Sequence, residues 1–378
     1  MKRASGKILF AGGGTGGHVY PALATIEALQ KMGEFEILYV GGYAGIENQI
    51  VPKRGIPYQK LWISGFQRRF TWKNILFPLK LLVSMLQSQR ILRQFQPDVV
   101  VGTGGYVSGP IVYLAARRGI PTLIQEQDSY PGVTTRLLAK HVQAICAPYP
   151  EIARHLPEGH GPLHITGNPV RPGLQIMERE QAVRRWNLDP NKPVVFVFGG
   201  SQGARALNLA MVQIAPELAE HDSVQFLWQT GKKLYQEVAG TAVAQHPAIR
   251  LLPYVEDMAA AYSAADVIVC RAGAITLAEL SVAGKPAILV PYPYAAADHQ
   301  LHNARAIANQ GAAVVVTEGN HFIPRLKQEI KKLLGDADLR RKMGQAWKHF
   351  YRPQAAQHIA AMIVEMMNRQ PETNGKKG

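Results

Sequence analysis

The chain reads as an α/β protein made of two halves, each built on a parallel sheet. Three observations predict this. Short apolar runs alternate with helical patterns along the chain. Two glycine-rich turns follow such runs almost half a chain apart: Gly12-Gly13-Gly14-Thr15-Gly16-Gly17-His18 after Ile8-Leu9-Phe10-Ala11, and Gly199-Gly200-Ser201-Gln202-Gly203 after Val194-Val195-Phe196-Val197-Phe198. Between them, Gly167-Asn168-Pro169-Val170-Arg171-Pro172 has the composition of a linker and places a domain boundary at 168/169. A strand that runs through such a turn into a helix brings backbone N–H groups to an anion at the helix N-terminus. Two such units predict two nucleotide-fold halves with a phosphorylated substrate between them.

In the first half the expected strands are residues 7–11, 36–40, 99–101 and 122–125. The first helix is expected over residues 20–32, with Ala22, Leu23, Ile26, Leu29 and Met32 on helical spacing, Pro21 near its start and Gly33 as its stop. In the second half the expected strands are 194–198, 224–229, 266–270, 287–290 and 313–316, with a helix over 275–283. The polar tail 370–378 is expected to be disordered.

Composition narrows the function classes. The 378 residues suit two domains, and a hydrophobic content of 47% fills two cores. The two cysteines, Cys146 and Cys270, each close an apolar run without a CxxC or a His/Cys cluster, so they read as structural thiols in a reduced compartment. No apolar run reaches the roughly 18 residues of a membrane span, and Met1-Lys2-Arg3 leads straight into a strand rather than a signal peptide. A cytosolic protein, or one attached to a membrane from the cytosolic side, is expected.

The net charge is +15 and unevenly placed. Residues 51–97 hold no Asp or Glu, but they hold Arg68, Arg69, Lys73, Lys80, Arg90 and Arg93 among Trp62, Phe66, Phe70, Trp72, Leu76, Phe77, Leu79 and Leu82. Basic charge interleaved with bulky apolar side chains is the pattern of an interfacial membrane site, against the plainer reading of a helix with a solvated basic face. No RNA-binding motif accompanies the charge, so nucleic acid is not an expected partner.

Gly12, Gly14 and Gly17 satisfy G-x-G-x-x-G, but a dinucleotide site also wants an acid at the end of the second strand. That strand closes as Tyr39-Val40-Gly41-Gly42-Tyr43, without one. Neither glycine turn carries the Gly-Lys-Ser/Thr of a Walker A loop. A third cluster, Gly102-Thr103-Gly104-Gly105-Tyr106, follows Val99-Val100-Val101 and is either a tight turn or a second wall of the first crevice. On the nucleotide side, Arg271-Ala272-Gly273-Ala274 opens a helix that carries Glu279, a carboxylate able to accept two hydrogen bonds from a ribose diol or simply a solvated helix acid. Asp298-His299-Gln300-Leu301-His302-Asn303 offers amide and imidazole groups to sugar hydroxyls. The i,i+3 pair His299 and His302 lacks further ligands for a metal.

Taken together these segments resemble the MurG family, which transfers N-acetylglucosamine from UDP-N-acetylglucosamine to lipid I. The marks are Gly13-Gly14-Thr15-Gly16-Gly17-His18-Val19-Tyr20-Pro21-Ala22-Leu23-Ala24, Gly102-Thr103-Gly104-Gly105-Tyr106, Gly167-Asn168-Pro169-Val170-Arg171, Gly199-Gly200-Ser201-Gln202-Gly203-Ala204 and Cys270-Arg271-Ala272-Gly273-Ala274. Their order and spacing match across nearly the whole chain. The resemblance implies a GT-B glycosyltransferase fold, two Rossmann-like domains facing a deep cleft. It divides the chain into an acceptor- and membrane-associating domain over 1–168, a UDP-GlcNAc-binding domain over 169–352, and a last helix at about 353–368 that returns to the first domain. It implies an inverting transfer to the 4-hydroxyl of the MurNAc-pentapeptide of lipid I at the cytoplasmic face of the bacterial inner membrane. The 68–93 stretch would meet anionic lipid.

The resemblance also implies residue roles. Ala274, Ile275, Thr276, Leu277, Ala278 and Glu279 would bind UDP, with Glu279 on the ribose and the backbone of Val255 on the uracil edge. Ser201 and Arg171 would contact the diphosphate and Gln300 the sugar hydroxyls. Thr15, Gly16 and Gly17 would lie on the acceptor side, with Gly14, Gly104, Gly105 and Tyr106 around the acceptor diphosphate. Where the family pattern has His-Glu-Gln-Asn, this chain has Gln125-Glu126-Gln127-Asp128, and Asp128 accepts a hydroxyl's hydrogen bond but does not donate as an amide does. Arg171 and helix N-termini are expected to meet the charge of the leaving UDP, so no tightly bound cofactor is expected and a divalent cation is expected as a stimulant only. The base that takes the hydroxyl proton is expected to be His18, whose ordinary pKa lies near the working pH, with Glu126 as the alternative. The rival functions are a UDP-GlcNAc 2-epimerase, another glycolipid synthase on the same fold, and a non-catalytic dinucleotide-binding module.

Overall fold

The computed structural model describes residues 4–65, 76–171 and 173–368. The expected membrane-facing residues Arg68, Arg69, Phe70, Trp72 and Lys73, and the tail 370–378, lie outside the described residues. The chain divides into two compact units. One runs to Arg171 and resumes at Pro353; the other runs between them to Arg352. The division falls three residues beyond the expected 168/169. The reason is Asn168, which is buried and held to the first unit by hydrogen bonds from Gln125 Nε2 to its Oδ1 (3.0 Å) and from its Nδ2 to the Gln127 carbonyl (2.8 Å).

The first unit contains β1 (Ala4–Ala11), α1 (Gly16–Met32), β2 (Gly33–Gly42), α2 (Glu47–Lys53), β3 (Tyr58–Leu61), α3 (Phe77–Phe95), β4 (Val99–Gly102), α4 (Ser108–Arg117), β5 (Thr122–Gln125), α5 (Val133–Leu138), β6 (Ala144–Ala147) and β7 (Leu163–Ile165). All its strands are parallel, in the order β3-β2-β1-β4-β5-β6-β7. Strand alternation sorts the core into two layers. Ile8 and Phe10 of β1 pack with α1, while Leu9 and Ala11 pack with α3 and α4 on the other face. A sheet buried on both faces explains why its central strands are continuous apolar runs.

The second unit contains α6 (Arg179–Arg185), β8 (Val194–Phe198), α7 (Arg205–His221), β9 (Gln225–Gln229), α8 (Tyr235–Ala239), β10 (Ile249–Leu252), α9 (Met258–Ala264), β11 (Val267–Cys270), α10 (Ala274–Ala283), β12 (Ala287–Leu289), α11 (His299–Asn309), β13 (Ala313–Val315), α12 (Phe322–Gly335) and α13 (Ala337–Ala346). Its six parallel strands run β10-β9-β8-β11-β12-β13. Val195, Val197, Phe226 and Trp228 pack with α7 on one face. On the other face Phe196 and Phe198 stack 4.7 Å apart, and the ring of Tyr262 stands edge-on to both. Asp266 seals the entry to β11. It receives a forked contact from Arg179 and the amide of Val194 at 2.8 Å.

Two features of the first helix differ from expectation. It begins at Gly16, four residues before residue 20, so His18 lies in its first turn and Pro21 inside it. Pro21 forfeits the bond that an N–H there would make to the Gly17 carbonyl. Gly33 does stop the helix, but in extended conformation rather than left-handed, and β2 starts there. Its lack of a side chain is required by β1, because a Cβ would run into the Ala4 carbonyl.

The last helix, α14 (Ala355–Asn368), belongs to the first unit and packs on α1 through Ile359, Ala360 and Ile363, all essentially inaccessible. The first unit is therefore discontinuous in sequence and depends on the far end of the chain for part of its core. Ile363→Ala is expected to destabilise that unit by about 2–5 kcal/mol, the cost of a large-to-small change in a packed core. Denaturant unfolding would measure it, and a loss under about 1 kcal/mol would show that α14 is not part of the core.

Candidate active site

Each sheet reverses its winding at one point, between β1 and β4 in the first unit and between β8 and β11 in the second. Loops at the C-terminal ends of strands flanking such a reversal part in opposite directions and leave a crevice. All three glycine clusters singled out from the sequence leave strands at these two places.

In the first unit the loops after β1, β4 and β5 converge. The Gly13 amide donates to the Gly104 carbonyl at 3.3 Å, and a Cβ on Gly105, whose φ is +79°, would strike the Gly13 backbone. Only glycine permits this approach. The cluster 102–106 is thus the second wall of the first crevice. The His18 Nδ1 lies 2.8 Å from the Gly13 carbonyl. A carbonyl can only accept, so Nδ1 carries the proton and neutral His18 keeps its Nε2 lone pair free. A Cβ on Gly104 would sit 2.6 Å from His18 Cδ2, which places the imidazole edge directly against this wall. Thr15 is the N-cap of α1 and makes no side-chain capping bond, which leaves the Gly16 and Gly17 amides at the helix mouth. Tyr106, in the loop after β4, is half exposed.

Gly14, a residue expected around the acceptor diphosphate, has its amide already engaged by the protein. Its N–H donates to Glu47 Oε2 at 2.9 Å, a buried partner that sequence reasoning missed. Glu126 also differs from a free base. It is 4% exposed, and both its oxygens are engaged. Oε1 accepts the amides of Gln127 (2.8 Å) and Asp128 (3.1 Å), and Oε2 accepts the Gly132 amide (3.0 Å) and the Thr135 hydroxyl (2.6 Å). Burial pushes its carboxyl up, and the neighbouring Asp128 pushes the same way, while the Thr135, Asp128 and Gly132 bonds pull it down. This geometry folds the 126–132 loop around one carboxylate and so places Asp128. Gln127 Nε2 ties the same loop to the Thr103 carbonyl at 2.9 Å.

In the second unit α10 starts on β11 with Gly273 as an uncapped N-cap, so the amides of Ala274, Ile275 and Thr276 face out of the helix end. Leu277 points into the core, and Ala278 lines the helix beside it. Glu279 is no solvated acid. It is buried, and the Tyr262 hydroxyl lies 2.9 Å from its Oε2. Gln300, in the first turn of α11, accepts the Tyr292 amide at 2.9 Å, which orients its NH2 outward for other acceptors. Val255, expected to read the uracil edge through its backbone, has half of that backbone engaged. Its N–H donates to Gln229 Oε1 at 2.8 Å, so a uracil edge can meet only its carbonyl. The same Gln229 donates to the Gly200 carbonyl at 3.1 Å, and the Ser201 carbonyl accepts from Lys232 at 3.3 Å. Gln229 therefore joins the glycine turn of β8 to the Val255 loop. Its signal was present in the sequence as a polar residue closing the apolar run Phe226-Leu227-Trp228.

Arg271 also escaped assignment. It reaches the carbonyls of Val290 and Pro291 (3.1 and 3.2 Å), pairs with Glu318 (2.6 Å) and lies over the Tyr292 ring. It fixes the loop that aims Gln300. Arg171 ends the first unit and is half-buried. Among the described residues no group of three or more His, Cys, Asp or Glu side chains is arranged to hold a metal ion. His299 Nδ1 instead lies 2.8 Å from the Ala296 carbonyl. Burial pushes the Cys146 thiol up to about 12, as expected of a structural thiol.

The His18 geometry makes a direct prediction. Long-range nitrogen–proton NMR spectra at a pH where His18 is neutral should show the Nδ1–H tautomer. A dominant Nε2–H form would refute the assignment of Nε2 as the free base.

Comparison with known proteins agrees with this geometry. Residues 8–147 match the glycosyltransferase family 28 N-terminal domain, and residues 194–359 match its C-terminal domain. The chain is 40% identical to a Desulforamulus reducens protein over 96% of its own length and 100% of the relative's. It is 38% identical to a Clostridioides difficile protein over 98% and 91%. Both relatives are named UDP-N-acetylglucosamine--N-acetylmuramyl-(pentapeptide) pyrophosphoryl-undecaprenol N-acetylglucosamine transferase. Among solved structures, Acinetobacter baumannii MurG superimposes with a TM-score of 0.75 at 30% identity, covering 95% of this chain and 99% of that one. A Listeria monocytogenes protein described as a UDP-N-acetylglucosamine 2-epimerase shares the fold at 12% identity and a TM-score of 0.68. With two parallel Rossmann-like sheets, glycine loops at both switch points and relatives of this length, the chain has the GT-B fold and belongs to glycosyltransferase family 28, in its MurG branch.

Proposed function

We propose that this protein transfers N-acetylglucosamine from UDP-N-acetylglucosamine to the 4-hydroxyl of the MurNAc-pentapeptide of lipid I, forming lipid II with inversion at the anomeric carbon. The observation that carries this reading is 40% identity to a transferase of that name over the whole of its length. The second unit takes the donor. The uncapped N-terminus of α10 faces the diphosphate together with Ser201, and Glu279 accepts from the ribose diol. The Val255 carbonyl meets the uracil, and the free NH2 of Gln300 meets a sugar hydroxyl. The first unit takes the acceptor at the mouth of α1, with Gly104, Gly105 and Tyr106 opposite.

His18 Nε2 removes the proton as the 4-hydroxyl attacks. The bond from the anomeric carbon to the UDP oxygen breaks as the new β-linkage forms. Glu126 shapes the loop that presents Asp128 to the sugar rather than acting as the base, because all the hydrogen bonds it accepts come from its own loop and helix. The charge on departing UDP is met by the α10 amides and Arg171. This supply does not require a tightly held metal, and a divalent cation adds to it as a stimulant.

Labelled GlcNAc supplied as UDP-GlcNAc should move to a lipid I analogue and release UDP, and without acceptor no epimer should form. Epimer without acceptor, or transfer only to diacylglycerol, would overturn the assignment. His18→Ala should lower kcat by about 10²–10⁴, the usual worth of a general base, with UDP affinity unchanged. Nearly full turnover would remove His18 from that role.

A lipid-linked acceptor requires contact with the bilayer. No described helix is long and apolar enough to cross one. The contact we assign is peripheral, at the cytoplasmic face of the inner membrane, through α3 and the preceding segment. On α3, Leu79, Leu82 and Leu86 are 49%, 60% and 59% exposed, in one stripe at helical spacing. Arg90 and Arg93 stand exposed toward its C-terminal end. Leu82→Glu with Leu86→Glu should weaken binding to vesicles containing phosphatidylglycerol about tenfold or more without changing UDP affinity. Unchanged vesicle binding would reject the stripe as the contact.

A further inference from the structure

We infer that Glu47 is a positioning residue for the acceptor side of the reaction, holding the first glycine loop in the shape that orients His18. The inference rests on the transfer reading above and deepens it. Glu47 opens α2, five residues after β2 ends, and is fully buried. Its two oxygens join two strand ends. Oε2 accepts the Gly14 amide of the loop after β1 at 2.9 Å, and Oε1 accepts the Gly42 amide at the end of β2 at 3.1 Å. The loop is built around this carboxylate. A Cβ on Gly13, Gly41 or Gly45 would each run into the Glu47 side chain.

A short path leads from the carboxylate to the imidazole. Gly14, at φ +91°, is turned inward by its bond to Glu47. That turn sets the Gly13 peptide, whose amide contacts Gly104 and whose carbonyl accepts from His18 Nδ1. The β2 end is in turn clamped by Asn48 Nδ2 and the Tyr58 hydroxyl, which both donate to the Gly42 carbonyl (2.9 and 3.2 Å). A carboxylate suits this place because it can accept both amides at once, whereas an amide side chain turns an NH2 toward one of them. A buried N–H left facing a donor loses its bond, and the loop shifts to recover one.

The same finding explains the absent ribose acid. An acid does follow β2, but it faces the loop from behind and is closed off from any ligand. Gly13, inside the stretch that imitates a dinucleotide fingerprint, and Gly41 and Gly45 make room for a carboxylate of the protein itself.

The test compares wild type, Glu47→Gln and Glu47→Ala in the full chain. The measurements are UDP binding by calorimetry, thermal unfolding, and transfer kinetics with donor and acceptor varied separately. Expected are a UDP affinity and a donor KM within about twofold of wild type, and a kcat lowered about tenfold or more in Glu47→Gln. Acceptor KM should rise, and Glu47→Ala should be worse than Glu47→Gln. Should Glu47→Ala fail to fold, the isosteric Glu47→Gln decides alone. A folded Glu47→Gln with kcat and acceptor KM within twofold of wild type overturns the inference. So does a parallel loss of UDP affinity, which would mark a general structural role. Failure of the wild type to transfer at all would instead reject the proposed function, so the two failures are distinguishable.

Discussion

In a doubly wound parallel sheet the place where the winding reverses fixes where loops part, and the chemistry of each half depends on where that reversal falls. Strands β1 and β4 in one unit, and β8 and β11 in the other, send their following helices to opposite faces. The loops that leave these strands are not part of the sheet ladder, so their backbone groups must be satisfied by one another or by side chains, as the Gly13 amide is by the Gly104 carbonyl. The three glycine clusters sit at these two gaps, while Asp128, Val255 and Gln300 come from the segments after β5, β10 and β12. The glycines at 104 and 105 are needed twice over, because their backbone is left-handed and because a side chain there would strike His18 or the Gly13 backbone.

Buried polar side chains hold those loops in place. Glu47 and Glu126 each gather amides from a loop of the first unit, Gln229 ties the β8 turn to Val255, and Arg271 clamps the strand ends that precede Gln300. Each is a full set of hydrogen bonds in a low-dielectric setting, where a satisfied network is stiff and a half-satisfied one is costly. Truncating one of these anchors therefore moves substrate-binding groups that it never touches. The arrangement also separates two kinds of acidic residue: those that accept from their own loop, and those, such as Glu279, whose helix faces the donor side.

Central strands could be read from the sequence because burial on both faces demands uninterrupted apolar runs, as in Ile8-Leu9-Phe10 and Val194–Phe198. Strands β3, β7 and β10 close the edges of their sheets and are partly exposed, so Tyr58–Leu61, Leu163–Ile165 and Ile249–Leu252 carry no such run. The glycine clusters announced both switch points, and His18 stood out by its place behind the first of them. Glu47, Gln229 and Arg271 did not stand out. Their partners lie on other elements, from Gly42 just before Glu47 to Glu318 well beyond Arg271, and spacing does not say which atom a side chain will bond; only Gln229 carried a signal, as a polar residue closing an apolar run. The helix start was misplaced for a related reason. Gly16 and Gly17 have poor intrinsic helix propensity, and only the packing of the following residues against β1 and α14 commits them.

The two glycine turns that look alike in sequence end up with different occupants. After β1 the Gly14 amide is turned inward onto a carboxylate, and the anion-attracting end of the unit is the open first turn of α1, at Gly16 and Gly17. After β8 the described residues offer no side-chain carboxylate to the loop amides, and the Gly200 carbonyl is instead held by an amide side chain, which adds no charge. A negative charge buried behind the first loop disfavours a second anion close to Gly14 and shifts the preferred position outward along the helix, toward His18. A neutral anchor behind the second loop leaves its potential positive, reinforced by the uncapped end of α10. Under the proposed function, the charge of the anchor, more than the glycine pattern in front of it, would separate a loop that presents a hydroxyl to a base from one that holds a nucleotide diphosphate.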